Sequence, residues 1–123
     1  MGAEPRDVRV GRIYDVARDA GAARVLVDRL WPRGMSKERA DLAAWAKDVA
    51  PSHELRRWYG HDPERREEFV RRYHEELRQP ERARALSLLH ERAASGPLLL
   101  LTAVRDVGAG HAAVLADILR AAR

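Results

Sequence analysis

Two stretches of this chain end in an acid beside an arginine, and each follows an apolar run. Val25-Leu26-Val27 leads into Asp28-Arg29, and Leu98-Leu99-Leu100-Leu101-Thr102-Ala103-Val104 leads into Arg105-Asp106. A positioned carboxylate can move a proton, and a guanidinium can grip a phosphate or carboxylate through two parallel bonds. If the two runs are neighbouring strands, Asp28 could face Arg105, or Arg29 could face Asp106. Such pairs either serve a ligand or form a structural ion-pair network at the sheet edge.

Other side chains add to this. Arg33 stands between Pro32 and Gly34 on a loop that leaves a buried run, and loops on rigid scaffolds often carry function. Trp31 in the same loop reads as packing. Gly108-Ala109-Gly110-His111 follows Arg105-Asp106 and opens a helix, where free backbone N–H groups attract anions. His111 begins the apolar stripe of that helix and is the best acid–base candidate among the five histidines. Lys47 follows Trp45; it could be partly buried with a lowered pKa, or its stem could cover the indole at the surface. Trp58, Tyr59 and His61 lie close together, either to stack on a ring or to fill the core. The histidines show no metal-ligand spacing, and the chain has no cysteine, so thiolate metal sites, disulfides and cysteine nucleophiles are excluded.

These residues need elements to position them. Both apolar runs read as strands buried on two faces, and ligands of open α/β sheets bind outside the carboxyl ends of such strands. Val8 to Tyr14 alternates and predicts a first strand at an edge. The connection from Asp15 to Ala23 is shorter than the dozen residues a parallel crossover usually takes, which predicts antiparallel pairing of the first two strands. Ser36 and Ser52 read as helix N-caps, and Trp45 to Ala50 as a short strand or a turn of helix. Asp62-Pro63 opens a longer helix with Phe69, Val70, Tyr73 and Leu77 inward. Pro80 starts another, and His111, Val114, Leu115, Ile118 and Leu119 mark the inner stripe of the last.

The 123 residues fit one domain, residues 1–123, of α/β class: a three- to four-stranded mostly parallel sheet packed by about five helices. The net charge of +4 comes largely from arginine, which mildly favours an anionic ligand. No apolar stretch approaches the roughly 20 residues that span a bilayer. Met1 to Val10 lacks a signal-peptide centre, so a cytoplasmic location without membrane partners is expected.

The string Val25-Leu26-Val27-Asp28-Arg29-Leu30-Trp31-Pro32-Arg33-Gly34 is followed by Trp45-Ala46-Lys47-Asp48, Ala50-Pro51-Ser52, Trp58, His61-Asp62 and Tyr73-His74-Glu75-Glu76-Leu77. This order resembles the YeaO-like branch of a bacterial domain-of-unknown-function family, from about Val8 to the C-terminus. The resemblance implies a single-domain α/β cytoplasmic protein and brings no activity, cofactor or catalytic residue. The residues themselves lead to a domain that binds, and could act on, a phosphorylated or otherwise anionic small molecule, with no cofactor. In that reading Arg29, Arg33, Lys47, Arg105, Gly108 and Gly110 hold the anion, and Asp28, Asp106 and His111 handle protons. The alternatives are a nucleic-acid-associated module, with arginines on phosphates and a tryptophan on a base, and an interaction protein without chemistry.

Overall fold

The computed structural model describes residues 6–16 and 21–121. The expected connection over residues 15–23 and the leading segment 1–10 therefore fall partly outside the described residues. Four strands form one sheet: β1 (Val8–Arg12), β2 (Ala23–Leu26), β3 (Ala44–Trp45) and β4 (Leu98–Thr102). Their order is β1-β4-β2-β3, and every neighbouring pair is parallel. Five helices accompany them: α1 (Lys37–Ala40), α2 (His53–Tyr59), α3 (Arg66–Glu76), α4 (Pro80–Ser95) and α5 (His111–Ala121). The expected small α/β domain is the architecture observed. No helix among the described residues is long and apolar enough to cross a membrane.

The antiparallel pairing of the first two strands does not occur. β4 lies between β1 and β2 and pairs with both, Val8 and Ala23 each opposite Leu98. The dozen-residue rule assumes a crossover that contains a helix. Getting back to the start of a strand two places away needs only about 16 Å, from strand rise and spacing. The ten residues 13–22 between β1 and β2 can extend about twice as far. β4 takes the centre because all five of its residues are buried. A strand so apolar needs cover on both faces and a neighbour on both edges.

Alternation along β4 divides the core. Leu98 and Leu100 join Val8, Val25 and Val27 in a cluster with Leu55, Phe69, Tyr73, Leu89, Leu115 and Leu119 from α2, α3, α4 and α5. Leu99 and Leu101 join Leu26, Ile13, Met35 and Ala40 on the opposite face, where Trp31 packs. One five-residue run thus feeds both layers.

Local signals place the helices. The Ser36 hydroxyl accepts from the Arg39 N–H, and the Ser52 hydroxyl accepts from the Leu55 N–H. Asp62 accepts from the Glu64 N–H and opens a 3-10 turn, Pro63–Arg65, that runs into α3. Gly34 adopts φ +73°, a region that residues with a Cβ avoid. Trp45 to Ala50 combines both expected forms: the short β3 and then a 3-10 turn, Lys47–Val49.

Candidate functional site at the strand ends

Asp28 lies two residues beyond β2, and its carboxylate reaches across to β4. It accepts from the Thr102 hydroxyl at 2.7 Å and from the Ala103 N–H at 2.8 Å. His111, the first residue of α5, brings Nε2 to 3.3 Å from the same carboxylate and 2.9 Å from the Val27 carbonyl. With two acceptors facing it, Nε2 is the nitrogen that carries a hydrogen. The Asp28 backbone carbonyl accepts from the Trp45 indole at 2.7 Å. One residue therefore ties β2, β3, β4 and α5 together. Burial pushes the Asp28 carboxyl up, but His111, the Ala103 N–H and the Thr102 hydroxyl together outweigh it and hold the group below the usual 3.8.

A cleft of about 390 Å³ opens over this knot. Asp28, His111 and Gly110 contribute to its lining, as does Arg33 from the loop after β2. Arg56 and Tyr59, three apart on α2, Tyr14 and His61 add further polar groups. The Tyr59 ring is stacked between His61, at 5.5 Å, and Phe69, at 4.1 Å. His61 itself takes a left-handed φ of 56°. The cleft thus holds two guanidiniums and one carboxylate, and that carboxylate already has its donors. Arg56 Nε is buried and has no hydrogen-bond partner among the described residues.

Arg66 secures the turn that delivers His111. Its guanidinium donates to the carbonyls of Ala109 at 2.9 Å, Gly110 at 3.3 Å and Gly108 at 3.3 Å. The Tyr59 hydroxyl donates to the Ala109 carbonyl at 2.7 Å. These bonds satisfy the carbonyls of the 3-10 turn Val107–Ala109 and set where α5 begins.

The remaining expected site residues lie elsewhere. Arg29 is half-buried and turns to Asp48 at 3.5 Å. Lys47 is exposed, with Nζ 5.3 Å from the Trp45 ring centre, so its stem covers the indole. It belongs to a different cleft. Arg105 and Asp106 are exposed, and neither they nor Gly108 line the strand-end cleft. The proposed facing pairs, Asp28 with Arg105 and Arg29 with Asp106, do not form. Register explains this: Leu26 pairs with Leu101, which sets Asp28 level with Ala103 and leaves Arg105 two residues further along. The apolar run outlasts the strand, which ends at Thr102.

Sequence reasoning missed Arg56, Arg66 and Thr102. Arg56 was discoverable, since it sits one turn before Tyr59 on a helix with a clear Ser52 cap. Arg66 acts on backbone carbonyls, for which a sequence holds no sign. The tryptophans are engaged within the fold. The Trp31 indole donates to the Met35 carbonyl at 2.7 Å, and Arg65 and Arg72 stand over the Trp58 ring.

Comparison with known proteins gives a consistent result. The family DUF488-N3i, described as the inactive DUF488-N3 subclade, matches residues 7–123. Uncharacterized protein Rv3073c of Mycobacterium tuberculosis is 47% identical over 112 residues, covering 91% of this chain and 92% of that protein. Uncharacterized protein YeaO of Escherichia coli is 38% identical over 114 residues, covering 93% and 97%. No solved structure matches.

Proposed function

The chain belongs to the inactive DUF488-N3 subclade, and we propose that it is a binding domain that holds a small oxyanion-bearing molecule in its strand-end cleft without turning it over. The observation that carries this is Arg56, whose Nε is buried in the cleft lining without a partner. A buried donor left unpaired costs about 1–3 kcal/mol, and an anion supplies the acceptor. Arg33, which also lines the cleft, adds a second fork suited to phosphate or carboxylate. The volume of about 390 Å³ is in the range that small molecules occupy.

Asp28 and His111 form the floor in this reading and do not act on the ligand. A carboxylate that accepts from Thr102, Ala103 and His111 is a weak base, because each donor stabilises its charged form. The description of the subclade as inactive agrees with such a fixed role. The apolar side chains of the lining, Trp31 and Phe69 among them, suit a body attached to the anion. The Trp31 indole already donates to the Met35 carbonyl and Arg65 and Arg72 stand over the Trp58 ring, which disfavours the nucleic-acid alternative.

The test is thermal stabilisation by inorganic phosphate and by phenyl phosphate. Both are expected to raise the melting temperature, phenyl phosphate at lower concentration. Arg56→Gln is expected to weaken the binding roughly 10- to 100-fold, the loss of one charge-assisted bond of about 1.5–3 kcal/mol. Stabilisation that is equal in wild type and Arg56→Gln would place the anion elsewhere and overturn the proposal, as would no response to either compound.

A further inference from the structure

Four rings stand in a column that runs from the core into the strand-end cleft. Tyr73 and Phe69 are 5.9 Å apart with 24° between their planes, Phe69 and Tyr59 are 4.1 Å apart at 14°, and Tyr59 and His61 are 5.5 Å apart at 16°. The first three are buried, and His61 is exposed. The Tyr73 hydroxyl donates to the Val49 carbonyl and the Tyr59 hydroxyl to the Ala109 carbonyl, so the column is pinned at two levels. Of the rings in the cleft lining, His61 is the exposed one. The others are taken up by the fold: Tyr14 lies under the Arg12 guanidinium, Trp31 packs edge-on against Trp45, and His111 Nε2 faces Asp28 and Val27.

The turn that displays this imidazole holds it under strain. The Asp62 N–H donates to the Tyr59 carbonyl at 3.0 Å, and the two residues between, Gly60 and His61, have φ of 52° and 56°. Positive φ at both central positions makes a type I′ turn, which glycine, asparagine and aspartate dominate. Gly60 meets that demand and His61 does not, because a left-handed L-residue brings its Cβ too close to the following carbonyl oxygen. Among the described residues the His61 side chain makes no hydrogen bond or ion pair in return, and its one ring contact is Tyr59. Strain of this kind clusters at ligand clamps and active sites. The turn is also tied to the arginine of the cleft: the Gly60 N–H donates to the Arg56 carbonyl at 3.1 Å. The open imidazole and the unpartnered Arg56 Nε thus belong to one segment and line one cleft.

We propose that His61 is the ring platform of the strand-end cleft, and that the ligand is a flat ring bearing a phosphate or carboxylate, its ring laid on the open face of the imidazole while Arg56 and Arg33 hold its oxygens. This rests on the anion-binding reading of the cleft and adds to it what body the anion carries. A flat ring extends the column by one layer, and stacked aromatic pairs gain more than their burial alone supplies. A saturated ring of the same size buries similar apolar area without that gain.

Proton NMR of the full chain tests it, with the His61 ring signals assigned by their absence in His61→Asn. Phenyl phosphate, benzoate, cyclohexyl phosphate and inorganic phosphate are titrated in turn. The His61 ring protons are expected to move upfield with phenyl phosphate or benzoate, as the ring current of a stacked aromatic requires, and not with cyclohexyl phosphate. Which of the two aromatic acids binds more tightly tells phosphate from carboxylate. The wild type is expected to prefer phenyl over cyclohexyl phosphate roughly 2- to 10-fold. His61→Gly is expected to lose this preference, because the next ring, Tyr59, lies 5.5 Å further back. Its melting temperature without ligand is expected to hold or rise, since glycine suits the left-handed position. Binding that depends on Arg56 but brings no upfield shift overturns the platform and leaves the anion reading standing. So does equal affinity for the two ring phosphates, a preference that survives His61→Gly, or a His61→Gly chain that melts well below wild type. No binding of any of the four compounds overturns the anion reading and this inference with it.

Discussion

Replacing Asp28 with alanine is the sharpest test of how the strand ends are held. Its carboxylate serves the Thr102 hydroxyl, the Ala103 N–H and His111 Nε2. His111 keeps the Val27 carbonyl after the change, so its loss is small. The Thr102 hydroxyl and the Ala103 N–H lose this acceptor. Thr102 is fully buried, and unpaired buried donors cost about 1–3 kcal/mol each. The sum, about 2–6 kcal/mol, is a large share of the roughly 5–15 kcal/mol that holds such a domain together. Urea unfolding followed by circular dichroism measures it. A loss within about 0.5 kcal/mol, the range of ordinary surface changes, would refute the assignment of Asp28 as the tie between strands. Acid titration adds the sign. Because the folded carboxyl sits below 3.8, its contribution is complete above that pH and fades as the pH drops through the folded value. The stability gap between wild type and Asp28→Asn is therefore expected to be constant from neutral pH down to about pH 5 and to shrink below it. A gap that widens on acidification would show that the group is not held in its charged form.

Three further outcomes follow from named contacts. Arg66→Ala removes the donors to the Gly108, Ala109 and Gly110 carbonyls, so amide exchange over residues 107–112 should accelerate with little change in the β4 amides; uniform acceleration would contradict a local latch. Gly11→Ala drives a Cβ into the Val16 side chain, and overpacking of this kind costs about 1–3 kcal/mol; an unchanged urea midpoint would mean that this approach is not close. Tyr73→Phe removes a buried hydroxyl that donates to the Val49 carbonyl at 2.5 Å, at a cost of about 1 kcal/mol. Burial raises that phenol above 10.0, so the stability it contributes is full below pH 10 and lost above it; the wild type should lose its margin over Tyr73→Phe in that alkaline range, and a constant margin counts against it.

The sequence carried the layers of the fold well because burial leaves its mark in residue type. The unbroken apolar run Leu98–Leu101, closed off before it by Gly96-Pro97, suits a strand buried on both faces, and Ser36, Ser52 and Asp62 mark helix starts through short side chains that reach backbone N–H groups. Strand order was another matter. The partner of β1 depends on which strand most needs the centre, and that is a competition among all the strands, invisible in any one connection.

The strand-end cleft shows the same division. That Asp28, Arg33, Gly110 and His111 share a lining follows from placing them just past parallel strands, which a sequence can indicate. What each meets there depends on register to the single residue. A register shifted by two residues would set Arg105 level with Asp28 and let an Asp–Arg pair form. With Leu26 opposite Leu101, uncharged donors from Thr102 and Ala103 meet the carboxylate instead. Asp28 is thus stabilised without drawing a guanidinium to it, and Arg56 Nε has no hydrogen-bond partner among the described residues. A difference of two residues in register thus separates an Asp28–Arg105 ion pair from a carboxylate held by a hydroxyl and a backbone N–H.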